Sequence, residues 1–415
     1  MTRWFAIPLW KRVVGALVLG VLAGLYFHYY WMEAATNIKI VGDVFIGFIR
    51  MLVVPLIFFS LVSGVASIGD IRKLGAVGGR AIVLFLITGQ IAIWLGIALG
   101  TIFKPGVGLD ISAMERGEPP VPNDASWQDM ILAVIPQNPV GVMADGAVLP
   151  LIVFSLLIGI GILMAKDEGK PVLKIFDSGA IVMQQVTAIV MEMTPFGVFA
   201  LIAWVVGTIG PNALGALGQV VFLNYLGCAL MIGVIYIGLL KFMAKVPVVD
   251  FFRGMVDALA VSYSTASSSA TLPVTLRCLQ RNIGVSRSVS SFTASLGATI
   301  NMDGTAMYLG LATVFGAQIF GVDLTMGDYI MVAVLATVGS IGAAGIPGTG
   351  LIMMALVFDA VGVPMETIAL VAGIDRIMDM MRTTTNVTSD ATIATVVAAQ
   401  TGELDRAELV SADDV

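Results

Sequence analysis

One histidine and two cysteines are all that 415 residues offer of the usual transition-metal ligands. Without a Cys/His cluster, zinc or iron chemistry has no support. Cys228 and Cys278 lie in apolar or membrane-edge surroundings, and no disulfide is expected between them. His28 ends the first apolar run and reads as an interfacial residue rather than a ligand. Charge is the larger deficit. Only 12% of residues are Asp, Glu, Lys or Arg, against about 25% in a soluble domain. The net charge of −6 comes mostly from two acidic stretches, 104–129 and 403–415, and it indicates neither nucleic acid nor an acidic partner.

What fills the chain is apolar. Hydrophobic residues make up 58% of it, and the mean hydropathy is +0.96. Apolar runs of about 18 residues or more recur, which defines an all-α polytopic membrane protein. Spans are expected at 12–31, 43–68, 80–103, 130–165 (broken by prolines), 173–206, 216–243, 287–316 and 366–399. Arg3, Lys11 and Arg12 precede a first span too long for the apolar core of a cleavable signal. Arg72, Lys73, Arg80, Lys166, Lys170, Lys241, Lys245, Arg277, Arg281 and Arg287 all fall on the side of the N-terminus. The positive-inside rule makes that side cytoplasmic. Both termini are then expected inside a cell (inner) membrane, with the loop 104–129 outside and a solvated, disordered acidic tail at 401–415.

Two segments do not fit as simple spans. Residues 251–283 are apolar at both ends but hold Ser262, Ser264, Thr265, Ser267, Ser268, Ser269, Thr271 and Pro273 between them. Residues 325–362 hold Gly342, Gly345, Pro347, Gly348 and Gly350 in the same way. Small, polar, proline-containing centres suit re-entrant hairpins, which are tolerated at membrane depth where protein or a cavity surrounds them. The plainer account is a pair of packing helices rich in small residues. Each hairpin precedes a span, and span parity opens the first from the cytoplasm and the second from outside. That is an inverted repeat of hairpin plus helix, an arrangement found around midplane substrate sites.

The last span carries Asp375, Asp379, Arg382, Asn386 and Asp390. At about 100° per residue they fall within an arc of roughly 80°. An ionised group at membrane depth costs about 2.5–3.5 kcal/mol, so this stripe should face a partner, an ion or a substrate. Arg382 presents a fork that matches a carboxylate bidentately. Asp379 can accept from an ammonium group. Ser268 and Ser269, at a half-helix N-terminus, can receive a second carboxylate, with Asn386 adding an amide. Two carboxylate receptors and one ammonium receptor describe an acidic α-amino acid. The plainer alternative is an internal i,i+3 pair of Asp379 with Arg382. Gly304, inside the seventh span, weakens that helix by about 1 kcal/mol. An unwound turn there would offer carbonyl oxygens to a small cation such as Na⁺, with Asp303 and Asp390 as counter-charges; a structural hydrogen-bond network is the alternative.

At these residues the chain resembles the dicarboxylate/amino acid:cation symporters, the glutamate/aspartate transporter family, in a prokaryotic form. The motifs are SSSATLP (267–273), GATINMDGT (297–305), SIGAAGIPGTG (340–350) and DRIMDMMRTTTNVTSD (375–390). MLVVPLIF (51–58), VLPLIVF (148–154) and PFGVFALIAW (195–204) match more weakly. The resemblance implies an elevator-type transporter: eight transmembrane helices and two re-entrant hairpins, assembled as a homotrimer in the lipid bilayer. Residues 1–79 and 104–215 would be scaffold. Residues 80–103 and 216–400 would form the moving transport domain, with hairpin 325–362 as the extracellular gate.

By motif position, the resemblance implies that Ser268 and Asn386 hold the substrate α-carboxylate. Asp379 and Thr383 would hold its amino group, with the backbones of Ala266 and Ile346. Arg382, Thr305 and Gly350 would hold the side-chain carboxylate. One Na⁺ site would use Gly297, Asn301, Asn386 and Asp390. A second would use Thr299, Met302, Ser340, Ile341 and Ala343. A third would use Asn301, Asp303, Thr88 and two neighbours, but those neighbours are Phe85 and Gly89 here, and two oxygen ligands are missing. The arginine that some members place before the serine triplet is Ala266, and Met380 follows Asp379.

Within the family, dicarboxylate members lack the aspartate at 379, proton-coupled members often lack the carboxylate at 390, and neutral amino acid members lack the arginine at 382. All three are present. The expectation is therefore sodium-coupled uptake of L-aspartate or L-glutamate, by a protein that is not an enzyme. The alternatives are a proton-coupled glutamate/aspartate symporter using Asp303, or a C4-dicarboxylate symporter. More remote are an anion channel and an intramembrane aspartyl protease built on Asp375 and Asp379.

Overall fold

The structure is a computed structural model and describes residues 7–74, 76–109, 135–342, 345 and 348–410. It is helical throughout, with one isolated antiparallel bridge between Val285 and Leu404. Helices α1 (Leu9–Tyr30), α2 (Met32–Leu74) and α3 (Ala76–Phe103) answer to the first three expected spans. The fourth is split into α4 (Pro139–Asp145) and α5 (Val148–Ala165). Asn138 caps α4 by accepting from the Val140 and Gly141 amides at 3.2 Å. Gly146 ends it in the left-handed region.

The fifth span, expected as one helix over 173–206, is instead two: α6 (Lys170–Met191) and α7 (Thr194–Ile209). Pro195, which lacks an N–H, opens α7. Glu192 sits at the break and pairs with both terminal nitrogens of Arg12, at 2.7 and 3.2 Å. Helix α7 packs along α1 and α2. Helix α8 (Asn212–Leu230) continues into two π-helical stretches, Met231–Tyr236 and Leu239–Ala244.

Both expected hairpins are pairs of antiparallel half-helices. Helix α9 (Val248–Thr265) turns at Ala266, whose φ of 51° is left-handed, into α10 (Ser268–Arg281). Ser267 caps α10 by accepting from the Ala270 amide at 3.1 Å. Helix α13 (Met326–Gly342) is followed by α14 (Thr349–Val361). Ala343 and Ile346, both expected to lend backbone groups, lie outside the described residues, as do the side chains of Ser340 and Ile341.

The seventh span is broken, as expected, but not at Gly304. It comprises α11 (Arg287–Ile300) and α12 (Asp303–Phe320), with Asn301 and Met302 between them. Gly304 lies in the first turn of α12. A Cβ on it would stand 2.5 Å from the Arg382 carbonyl oxygen, so its role is close helix approach rather than unwinding.

Helix α15 (Glu366–Thr401) runs through the centre. Among the described residues, five helical stretches are long and apolar enough to cross a membrane: Leu9–Tyr30, Met32–Ala66, Val77–Phe103, Pro150–Met191 and Asn212–Ala244. Helix α15 is not among them, because its polar side chains lower its hydropathy. It is buried on nearly every side, with α3, α7, α8, α9, α10, α11, α12 and α14 packed around it.

The segment after α15 is not the loose tail expected from its acidity. The Ser286 and Ser288 hydroxyls donate to the Glu403 carboxylate at 2.5 and 2.6 Å. Arg406 donates to the carbonyls of Lys245 and Ala244 at 2.7 and 2.9 Å. The Asp405 amide donates to the Gly284 carbonyl at 2.8 Å. Paired carboxylate and guanidinium contacts order residues that composition alone marks as solvated. Residues 411–415 lie outside the described residues.

Candidate functional site

The polar stripe of α15 is buried along its whole length. Asp375, Asp379, Arg382, Asn386 and Asp390 are each no more than 5% exposed, and Arg382 is at 0%. One guanidinium nitrogen, Nη2, donates to Asp375 Oδ1 at 2.8 Å and to Asp379 Oδ1 at 3.0 Å. The expected i,i+3 pair therefore exists. Asp375 joins it from two turns away on the same helix. The guanidinium carbon lies 4.0 Å from the centroid of the Tyr308 ring. Its other donors, Nε and Nη1, are buried with no partner. A buried, unpaired donor is costly, and two on one cation describe a receptor for an anion.

Gly350 closes over this guanidinium. A Cβ there would lie 2.9 Å from Nη2, so a side chain would displace the cation. The second carboxylate oxygen of Asp379 accepts the Gly348 amide at 3.0 Å, tying the tip of the α13–α14 hairpin to α15. Thr383 and Thr305 are buried nearby in sequence position, on α15 and in the first turn of α12. Ser268 begins α10, 4% exposed. Thus Ser268, Thr305, Gly350, Asp379, Arg382, Thr383 and Asn386 come from four elements that all contact α15 or lie on it.

The two hairpin tips meet at one carbonyl. Gly345 O accepts the Ser267 hydroxyl at 2.7 Å and the Ser269 amide at 3.0 Å. A Cβ on Gly345 would stand 2.5 Å from the Ala298 carbonyl oxygen and 2.9 Å from Ser269 Oγ. Only glycine permits this closure.

The residues expected to hold a first cation are brought together. Asn301 Nδ2 donates to Asp390 Oδ1 at 2.8 Å, and a Cβ on Gly297 would overlap the Asp390 carboxylate. Asn301 Oδ1 is buried without a partner. Asn386 is one turn from Asp390, its oxygen accepting the Gly304 amide at 2.7 Å. A buried carboxylate beside an unpartnered amide oxygen fits a hard monovalent cation. Of the second set, Thr299 donates back to the Leu296 carbonyl at 2.9 Å, and Met302 O accepts the Ala306 amide at 2.8 Å. Each oxygen keeps a lone pair beyond the bond it makes.

The third set fits Na⁺ poorly. Asp303 is fully buried. Its Oδ2 accepts the Tyr236 and Ser389 hydroxyls, each at 2.8 Å, while Oδ1 has no partner. A Cβ on Gly89 would lie 3.7 Å from that oxygen. The cavity beside it, about 240 Å³, is walled by Ile82, Phe85, Leu86, Ile93 and Ala306. Thr88 is buried and its hydroxyl donates to the Phe85 carbonyl at 3.3 Å. Phe85 and Gly89 bring no side-chain oxygen to that wall, whose other polar side chains are Asn301 and Thr337.

Sequence reasoning missed Tyr236, Tyr308 and Ser389. Ser389 lies inside the quoted 375–390 motif and was accessible by its proximity to Asp390. The tyrosines arrive from α8 and α12 through tertiary packing, and no periodicity signals them. Helix α8 also braces α15 directly: Tyr225 OH donates to the Ile377 carbonyl at 3.0 Å, and Asn224 Nδ2 to the Met378 carbonyl at 3.5 Å.

Residues 9–400 match the family model described as the sodium:dicarboxylate symporter family. The chain is 34% identical over 401 residues to a proton/sodium-glutamate symport protein of Geobacillus stearothermophilus, covering 95% of this chain and 94% of that protein. It is 34% identical over 410 residues to the proton/glutamate-aspartate symporter of Escherichia coli, covering 95% and 93%. It is 32% identical over 407 residues to a C4-dicarboxylate transport protein of Bacillus subtilis, covering 97% and 95%.

Proposed function

Because the chain belongs to the sodium:dicarboxylate symporter family, an integral membrane family of transporters rather than enzymes, we propose that it carries an acidic amino acid, L-aspartate or L-glutamate, into the cell by sodium-coupled symport. The observation that carries this reading is the Arg382 guanidinium, fully buried with Nε and Nη1 unpartnered, beside the Asp379 carboxylate. A substrate carboxylate supplies the acceptors those donors lack. A substrate ammonium group supplies donors to Asp379, which a plain dicarboxylate would leave facing another anion. The second carboxylate would meet Ser268 at the N-terminal end of α10, where it competes with the Gly345 carbonyl for the Ser269 amide.

Asp379 also gives the site a gate. In the structure it accepts the Gly348 amide from the hairpin tip. A substrate ammonium competes for the same carboxylate, so occupancy of the site and the position of that tip are linked. Na⁺ at Asp390, Asn301, Asn386 and Gly297 would compensate the Asp390 charge. The remaining parts of the reading rest on family membership: eight spans with two re-entrant hairpins, cytoplasmic termini in the plasma membrane, a homotrimer, and transport-domain segments 80–103 and 216–400 sliding as an elevator against scaffold 1–79 and 104–215.

The proton-coupled alternative is favoured by one observation. Asp303 has one oxygen held by two hydroxyls and the other without a partner beside a mostly apolar cavity, where Phe85 and Gly89 bring no side-chain oxygen. Proteoliposome uptake separates the readings. Labelled aspartate, glutamate, serine and succinate are compared under imposed Na⁺ or H⁺ gradients. Saturable aspartate or glutamate uptake that requires the Na⁺ gradient supports the proposal. Uptake driven by H⁺ alone, or succinate preferred over both amino acids, overturns it.

A further inference from the structure

We infer that Arg376 is a specificity-determining residue of this site: a second guanidinium that sets the charge of the pocket and positions the α9–α10 hairpin tip. The inference rests on the acidic-substrate reading above. Arg376 lies next to Asp375 on α15 but off the polar stripe, about 100° around the helix. It is 7% exposed, which is unusual for arginine without a structural or functional reason. Its Nη2 donates to the Thr265 carbonyl at 3.1 Å, and its Nε is buried with no partner.

Thr265 is the last residue of α9. Carbonyls at a helix C-terminus lack intrahelical donors and carry partial negative charge. Arg376 satisfies one of them. Ala266, Ser267 and Ser268 follow directly, so the guanidinium holds the tip that presents Ser268. Thr265 contributes its hydroxyl to the same turn, accepting the Ser267 amide at 3.3 Å.

The charge argument is independent of the tip. Asp375, Asp379, Gly348 and Arg376 border one small cavity. Arg382 alone answers two carboxylates, Asp375 and Asp379. Counted without Arg376, that buried cluster carries one net negative charge. With it, the cluster is neutral. A substrate that brings its own net negative charge is repelled by the first arrangement and admitted by the second. The effective dielectric inside a protein makes such a difference worth an order of magnitude in affinity.

The test uses the full-length protein in lipid nanodiscs, with substrate titrated by calorimetry at fixed Na⁺. Arg376→Met keeps length and removes charge, while Arg376→Lys keeps charge and removes the fork. Arg376→Met should raise the Kd of the acidic amino acid about tenfold or more, and Arg376→Lys should stay within about threefold of the parent. Circular dichroism and Na⁺-dependent thermal stabilisation serve as the fold control. Equal losses in both variants would show a packing role only, and no loss in either would remove the residue from the site. The parent titration is read first. If it shows no acidic amino acid binding, the substrate reading fails by itself, and the same series is run with succinate. Its two negative charges must then make the Met variant's loss at least as large, and an unchanged succinate Kd overturns the role of Arg376.

Discussion

Arg382 lies over the ring of Tyr308, with the guanidinium carbon 4.0 Å from the ring centroid. Both residues are fully buried. The ring face is therefore a neutral partner of a cation whose hydrogen bonds go to Asp375 and Asp379. Desolvated cation–π contacts contribute about 2 kcal/mol. Tyr308→Leu should weaken acidic substrate binding by roughly tenfold or more on that basis. Tyr308→Phe should be near the parent, because the phenol oxygen has no partner. Calorimetric titration of the two variants checks this, and equal losses would point to the hydroxyl instead.

On the proposed reading, Arg382→Cys removes the fork assigned to the substrate's distal carboxylate. Aspartate and glutamate uptake should be abolished, and neutral amino acids such as serine should become substrates. Competition against labelled serine in proteoliposomes is the measurement. Retained aspartate affinity would end the assignment.

Asp390 stands against Gly297 and accepts from Asn301 at 2.8 Å. Asp390→Asn preserves shape and removes the charge that a cation would balance. The half-saturating Na⁺ concentration for uptake should rise about tenfold, equivalent to about 1.4 kcal/mol. An unchanged Na⁺ activation curve would remove Asp390 from the cation site.

Gly345→Ala introduces a methyl group 2.5 Å from the Ala298 carbonyl oxygen. Backbone cannot yield there cheaply, so the hairpin tips should fail to meet. Transport should fall to background while the amount of protein in the membrane stays normal. A spin-label pair on the exposed Ser264 and the α14 end would report the separation; an unaltered distance would show that the tips relax around the methyl.

Glu403 lies outside the membrane-spanning segments, and hydrogen bonds from Ser286 and Ser288 lower its carboxyl below the ordinary value. A lowered folded pKa favours the bonded state above the unfolded pKa and loses that contribution as pH falls through the folded value. The clasp should therefore be intact at neutral pH and loosen only in strong acid. Hydrogen exchange at Ser286–Val289 should be faster in Glu403→Gln at pH 7, and the two proteins should converge at acid pH.

The hairpins were legible because Ser267–Ser269 with Pro273, and Gly345 with Pro347 and Gly350, interrupt apolar runs with residues that terminate helices. The stripe was legible because five polar residues on one apolar helix have a cost. The break in the seventh span was misplaced by a few residues because helix propensity marks Gly304, whereas contact with Arg382 is what requires glycine there. The fifth span was read as continuous because Pro195 at a first helical turn leaves hydropathy unchanged. Tyr236, Tyr308 and the bond from Arg382 to Asp375 depend on which helix faces which, and that information is not local.

The Glu403–Arg406 clasp has a practical consequence for anyone handling the protein. A purification handle or fluorescent fusion joined directly after Thr401 would replace the residues that fasten Ser286, Gly284 and Lys245. Such a fusion would compare a loosened C-terminal end with a fastened one. The attachment point should fall beyond Val410, with a flexible spacer, so that the tagged and untagged chains are mechanically the same object.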